Sequence, residues 1–152
     1  MIQRIQTVYL LLVAAAMTAV LFLPLATVQA GGIFYRYDVL GMHTTTASPE
    51  LTHPAWALCA LSATVILLAL AAVFLYGNRM RQIRLCIFNA ILLVGFYALF
   101  AFFLWNFSAQ SDFHFNVRFA LSLPLVSLIL DYLAIRNIGA DEMLVRSLNR
   151  LR

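Results

Sequence analysis

One carboxylate stands alone within the apolar part of this sequence. Asp131 is the only acidic residue inside the run VRFALSLPLVSLILDYLAI, residues 117–135. A carboxylate among apolar residues is costly unless it is paired or serves an ion or proton pathway. Because Asp131 lies shortly before Arg136, its expected depth is close to one end of the run. The interpretation we favour is a buried ion pair of Asp131 with Arg84 or Arg136.

The alternative for the same residue is a small transporter or channel that uses Asp131. Such a protein would need polar side chains along one continuous route. The polar residues that would have to line this route are Thr18, Ser62, Thr64, Asn89, Ser127 and Asp131. Their scatter along the chain shows no obvious polar path, so the sequence favours a role without transport.

The sequence lacks the residue patterns of redox, metal-dependent, phosphate-binding and lipid-modifying enzymes. A membrane thiol oxidoreductase needs two cysteines close in sequence, whereas Cys59 and Cys86 are far apart. The three histidines follow no known metal-ligand spacing, and no Gly-rich phosphate loop is present. A lipid-modifying enzyme would need a nucleophile and a base at a recognisable spacing. We predict no catalytic residue, metal ligand or cofactor, and therefore not an enzyme.

The composition indicates which elements must position these residues. The 152 residues are 64% hydrophobic and 11% charged, and the mean hydropathy is +0.92. A soluble domain carries about 25% charged residues, so this chain is expected to be an integral membrane protein. A spanning helix needs about 20 apolar residues. The sequence predicts a single four-helix membrane domain over residues 1–152, with helices over about 5–28, 55–76, 85–107 and 117–135 and a tail over 136–152.

The predicted fold class is an all-α membrane protein, an up-down-up-down four-helix bundle. The first outer loop contains IFYRYDVLG, in which Phe34 and Arg36 alternate with Tyr35 and Tyr37. This period of two predicts a short strand-like excursion with an aromatic face. In the fourth helix, Pro124 is expected to cause a kink.

The arginines predict the orientation. All ten basic residues are arginine, and two of them, Arg36 and Arg118, fall on one predicted side. The other eight share the opposite side: Arg4, Arg79, Arg81, Arg84, Arg136, Arg146, Arg150 and Arg152. By the positive-inside rule, both termini and the turn GNRMRQIR (residues 77–84) are predicted to be cytoplasmic.

The tail sequence ADEMLVRSLNRLR has the pattern of a cytoplasmic amphipathic helix that begins near Ala140. Asp141 and Glu142 would lie in its first turn, where the helix dipole favours acidic groups. Residues for docking a partner or lipid are predicted to be Arg146, Arg150, Leu144, Leu148 and Leu151. Three alternatives stay open: a helix lying on anionic lipid of the inner leaflet, a helix that docks a protein, and a solvated tail.

A cleaved signal peptide is the alternative interpretation of the first apolar segment. Val28-Gln29-Ala30 before Gly31 satisfies the small-residue rule for a cleavage site. The apolar stretch, however, is longer than the 7–15 residues of a usual signal-peptide core.

Three stretches together resemble a known family: MIQRIQTVYLLL at the start, RQIRLCIFN over residues 81–89, and DEMLVRSLNRLR over residues 141–152. They are similar to a small bacterial family of four-helix membrane proteins described only as a domain of unknown function. The resemblance implies a Gram-negative inner-membrane protein with a retained first helix and no assigned activity. The family pattern usually has an acidic residue where this chain has Asn149.

The function that these features favour is a non-enzymatic accessory or scaffold subunit. It would be a multi-pass protein of the bacterial cytoplasmic (inner) membrane. The expected partners are membrane lipid and a larger membrane protein assembly or a second copy of the chain, and no nucleic acid is expected. No cofactor is implied.

Overall fold

A computed structural model of the chain describes residues 2–30, 32–45, 51–75, 77–108 and 113–150. The helices are α1 (Ile2–Phe22), α2 (Trp56–Phe74), α3 (Arg79–Ser108) and α4 (Leu123–Arg150). The strands are β1 (Ala26–Ala30), β2 (Ile33–Asp38), β3 (Gly41–Thr44), β4 (Leu51–Pro54) and β5 (Phe113–Val117). A 3-10 helix, Phe119–Ser122, leads into α4.

The helices form a bundle in which α1 and α3 each pack against both α2 and α4. By length and composition, all four helices are able to cross a membrane. The apolar residues that face one another in the bundle include Leu10, Val13, Leu58 and Leu93, all fully buried. The four predicted apolar helices are therefore confirmed, although their ends differ from the prediction.

The all-α prediction is wrong, because the described residues also form a five-stranded antiparallel sheet. Its strand order is β4-β3-β2-β1-β5. Strands β1 to β4 form the connection between α1 and α2, and β5 follows α3. The sheet therefore caps one end of the bundle, and the predicted strand-like excursion is one strand of it.

Pro24 explains why the first helix is shorter than the predicted span of residues 5–28. The last helical bond is donated by the Leu23 amide to the Ala19 carbonyl at 3.1 Å. Pro24 has no amide hydrogen to continue the series and disfavours helical geometry at the residue before it. The next residue, Leu25, donates to the Tyr37 carbonyl at 2.9 Å and accepts from the Arg118 amide at 3.1 Å. Its backbone is thus already bonded on both sides, as in a sheet.

One face of the sheet packs on the bundle. Ala26, Val28 and Tyr37 are buried on this face, whereas Phe34 and Arg36 on the opposite parity are exposed. The predicted alternation in β2 is therefore confirmed. Tyr37 stacks on Phe100 of α3 with ring centroids 5.1 Å apart. Such a ring pair stabilises the folded state by about 1 kcal/mol in addition to the contribution from burying its apolar surface.

Three further expectations are corrected in the second half of the chain. The arginine turn is largely the start of α3, where the Asn78 carbonyl accepts from the amides of Arg81 and Gln82 at 3.0 Å. Pro124 is the second residue of α4 and so lies in its first turn, where no amide hydrogen is needed, and not in the helix interior where a kink was expected. The predicted tail helix is not separate, because α4 continues from Leu123 to Arg150.

The hydroxyl group of Tyr37 is buried and has no hydrogen-bond partner among the described residues, and burial raises its pKa well above the usual range. We expect Tyr37→Phe to leave the free energy of unfolding unchanged or to raise it by about 1 kcal/mol, because a buried unpaired hydroxyl is costly. The measurement is reversible unfolding of the purified protein in mixed micelles.

Tyr97→Phe is the matched control. Its hydroxyl donates to the Leu121 carbonyl at 2.7 Å, so the same change should lower the free energy of unfolding by about 1 kcal/mol. An equal loss of unfolding free energy in the two variants would contradict the conclusion that the Tyr37 hydroxyl has no hydrogen-bond partner.

Candidate functional site

The strongest candidate site is a polar cluster between α3 and α4 that we call the Asp131 cluster, formed by Cys86, Asn89, Ser127 and Asp131. All four side chains are at most 1% exposed. The Asn89 Nδ2 group donates to Asp131 Oδ2 over a long 3.4 Å, and the Cys86 thiol lies beside the same carboxylate. A fully buried carboxylate therefore has only an amide and a thiol as polar side-chain contacts in the described structure.

Three oxygens of the cluster have no hydrogen-bond partner among the described residues. They are Asn89 Oδ1, Ser127 Oγ and Asp131 Oδ1. Ser127 differs in this respect from three other hydroxyl residues in the helices. Those of Thr18, Ser62 and Thr64 each donate to the carbonyl four residues earlier, at 2.7–2.8 Å.

The arginines expected to pair with Asp131 lie elsewhere. Arg84 and Arg136 are both exposed, and no ion pair joins either of them to Asp131 in the described part of the chain. The reason is helical geometry. Arg136 follows Asp131 by five residues and Arg84 precedes Asn89 by five, which turns each arginine about 140° away from the cluster. Asn89 therefore takes the position beside the carboxylate that the sequence assigned to an arginine.

The polar residues that a transport route would need are only partly brought together. Asn89, Ser127 and Asp131 lie in one cluster, and Ser62 is buried with its hydroxyl bonded to the Leu58 carbonyl. Thr18 and Thr64 lie on exposed faces of their helices. Among the described residues, the six therefore do not line a continuous path.

A second polar group, missed by sequence reasoning, ties three helices together at the end opposite to the sheet. Gln6 Nε2 of α1 donates to Asp141 Oδ2 of α4 at 2.7 Å, and both side chains are buried. Arg79 Nη1 of α3 donates to the Asp141 carbonyl at 3.0 Å. Asp141 thus binds α1 instead of capping a separate helix. The available signal was Gln6 itself, a polar residue at the start of an apolar segment.

Beside this network, an open cavity of about 320 Å³ lies between the start of α3 and the last turns of α4. It is lined by Gly77, Asn78, Arg79, Met80, Arg81, Glu142 and Val145. Arg79 and Arg81 give it a basic rim, and Glu142 adds one acidic group. The cavity brings the predicted arginine turn next to the predicted docking helix.

The predicted docking residues lie in or just after the last part of α4. Leu144 is exposed, as are its neighbours Met143 and Val145. The side chains of Arg146, Leu148 and Arg150, and the whole of Leu151, lie outside the described residues. Their predicted role stays a prediction.

In the part of the chain that the structure describes, no three His, Cys, Asp or Glu side chains converge as a metal site of these ligands would require. On the outer face of the sheet, His43 lies opposite Arg36, which pairs with Asp38 at 3.0 Å. This arrangement is typical of a solvated sheet face.

The fold and the cluster together define a class of protein: a four-helix bundle of membrane-spanning length, capped at one end by an antiparallel sheet, with a buried carboxylate between two helices. The family described as "Domain of unknown function (DUF4293)" matches residues 2–151. The chain therefore belongs to this family. A search of curated proteins gave no match.

We expect Gln6→Ala to lower the free energy of unfolding by about 2 kcal/mol, because it leaves the buried Asp141 carboxylate without its side-chain donor. The measurement is the same unfolding assay in mixed micelles. Ile5→Ala is the control, since its half-exposed side chain faces away from the network and should cost about 0.5 kcal/mol or less. A Gln6 variant as stable as the Ile5 variant would mean that the network contributes nothing to stability.

Proposed function

We propose that the chain is a multi-pass protein of the bacterial, Gram-negative cytoplasmic membrane, with both termini on the cytoplasmic side and the sheet outside. The four apolar helices support a membrane location by their length and composition. The orientation is supported by the arginines, because seven of those in the described residues belong to helix segments towards the end of the bundle opposite to the sheet. An excess of arginine marks the cytoplasmic side of such proteins.

The start of α3 adds an electrostatic argument. Arg79 and Arg81 lie in its first turn, where the helix dipole disfavours cations by about 0.3–1 kcal/mol each, and Arg84 follows in the second turn. The bond of Arg79 to the Asp141 carbonyl accounts for that arginine, whereas Arg81 and Arg84 are exposed. Contact with anionic lipid phosphates would account for these two, because exposed guanidinium groups donate in pairs to such oxygens.

Within this membrane, the chain acts as a non-enzymatic accessory or scaffold subunit that docks a cytoplasmic protein through the end of α4. The observation that carries this proposal is the continuity of α4. Asp141 is level with Arg79, the first residue of α3. Residues 142–150 therefore extend beyond α3 by about 13 Å at 1.5 Å per residue.

The direction of this extension favours a protein partner over a helix lying on lipid. A helix that lies in the head-group layer must turn away from the membrane-spanning direction. The projecting part of α4 instead continues the spanning helix. Met143, Leu144 and Val145 are exposed there, next to the basic rim of the cavity. The complementary partner has an apolar patch bordered by acidic residues.

The orientation predicts a difference in labelling. Single cysteines are introduced as Leu40→Cys, in the turn between β2 and β3, and Asn78→Cys, in the turn before α3; both positions are exposed. In intact spheroplasts, an impermeant maleimide should label Leu40→Cys at once and Asn78→Cys only after permeabilisation. The wild type, with Cys86 buried and Cys59 half-buried, gives the background. The opposite pattern would invert the topology, and labelling of both without permeabilisation would contradict a membrane-spanning bundle.

If the end of α4 docks a protein, variants with changes in that part of α4 should lose this partner. Affinity purification from native membranes in mild detergent should give one stoichiometric protein with the wild type. Leu144→Glu, and separately Arg146→Glu with Arg150→Glu, should reduce it at least about tenfold, since an interface hot spot contributes 2 kcal/mol or more. Leu40→Glu is the matched control, because Leu40 is 56% exposed, close to the 57% of Leu144, but lies at the sheet end.

The proposal fails if the wild type is recovered alone or only as a homo-oligomer. It fails equally if Leu40→Glu releases the partner as completely as Leu144→Glu, because docking would then not depend on α4.

A further inference from the structure

The Asp131 cluster holds three of the four buried side-chain oxygens that lack a hydrogen-bond partner in the described structure. Asp131 Oδ1, Asn89 Oδ1 and Ser127 Oγ are buried and lack a partner among the described protein atoms. Buried oxygens without partners are rare in native proteins and usually mark an ion, a water or a functional group. Ser127 and Asp131 are one turn apart on the same face of α4, and Asn89 contacts Asp131 directly. The three side chains are therefore neighbours.

The charge of an ionised Asp131 needs compensation. An ionised carboxylate within a bundle is strongly disfavoured unless a cation compensates it. Arg84 and Arg136 face away, and the contacts that Asp131 makes are with an amide and a thiol. A proton on Asp131 would neutralise the charge but would give the three oxygens only one additional hydrogen. A small cation neutralises the charge and is a partner that several oxygens can share.

We propose that Asp131, Asn89 and Ser127 bind a monovalent cation, Na⁺, between α3 and α4. The donor set consists of a carboxylate, an amide carbonyl and a hydroxyl, all of which are oxygen ligands that hard cations prefer. This inference concerns ion binding and does not depend on the docking of a partner.

The surroundings of the cluster favour a small, dehydrated ion. On the side towards the sheet, the inward positions of α3 are Leu93 and Phe96, and on the other side lie Leu10, Ala134 and Ile138. These side chains are all fully buried, and the buried Gln82 lies one turn before Cys86 on α3, so the site is closed to bulk water although its surroundings are not apolar throughout. Selectivity between cations depends on cavity size and ligand number, and the closely packed surroundings are the reason to expect the smaller Na⁺ rather than K⁺.

The test is thermal unfolding of the full-length protein in lipid nanodiscs, followed by the fluorescence of Trp56 and Trp105. Choline chloride is replaced stepwise by NaCl or KCl at constant ionic strength. A ligand that binds only the folded state raises the unfolding midpoint in proportion to the logarithm of its concentration. For the wild type we expect Na⁺ to raise the midpoint by about 3 °C or more, and K⁺ to raise it less.

Two variants remove parts of the site, and a third is its matched control. Asp131→Asn should abolish the Na⁺ response. Ser127→Ala should raise the Na⁺ concentration for a half-maximal response by about fivefold or more, the equivalent of one lost polar contact. Ser62→Ala removes an equally buried hydroxyl that is bonded to the Leu58 carbonyl, and should leave the Na⁺ response unchanged. If Asp131→Asn does not fold, Ser127→Ala compared with Ser62→Ala decides the question.

Three results would overturn the proposal. The first is a wild-type midpoint that is the same in NaCl and in choline chloride. The second is an equal Na⁺ response of Ser127→Ala and Ser62→Ala, which would mark a general salt effect. The third is a midpoint that depends on pH but not on Na⁺, which would assign a proton to Asp131 in place of the cation.

Discussion

The architecture depends on the pairing of β1 with β5. This pairing joins the connection after α1 to the connection after α3, two segments separated by most of the chain. Helix α2 is linked through the hairpins of β2, β3 and β4, and α4 follows β5 through the 3-10 helix Phe119–Ser122. All four helices are therefore fixed at one end by one set of backbone hydrogen bonds. Such bonds satisfy loop amides and carbonyls that would otherwise be costly next to an apolar bundle.

The two ends of the bundle are consequently held by different interactions. At the sheet end, the strands are joined by backbone hydrogen bonds, and the sheet is held on the bundle by aromatic packing such as that of Tyr37 on Phe100. At the opposite end, no sheet is present in the described residues, and side chains take over, with Gln6 bonded to Asp141 and Arg79 to the Asp141 carbonyl. Side-chain networks are easier to rearrange than a sheet, which suits the end that we propose to dock a partner.

The helices were predictable from sequence because each has a long apolar run, but the sheet was not. Strand β1 continues the apolar run of α1, and Pro24 was the only local sign that the helix stops before it. Strand β5, with Phe115 between His114 and Asn116, has the alternation of a strand but is too short to be decisive. Its role depends on register with β1, a long-range contact that local patterns do not encode.

The candidate site shows the same limit of local sequence patterns. Here the unknown is the rotation of a helix about its own axis. The sequence marks Asp131 as a charged residue within an apolar run. The identity of its partner depends on which residue of α3 faces it. Rotation by about 140° separates Asn89 from Arg84, and packing selects the former. Burying an arginine with the aspartate would require the desolvation of two ions, and their attraction often fails to offset that cost. Keeping Arg84 exposed and placing an amide beside Asp131 desolvates only one charge. The carboxylate then has no fixed positive charge beside it in the described structure, which is the position that the cation we propose would fill.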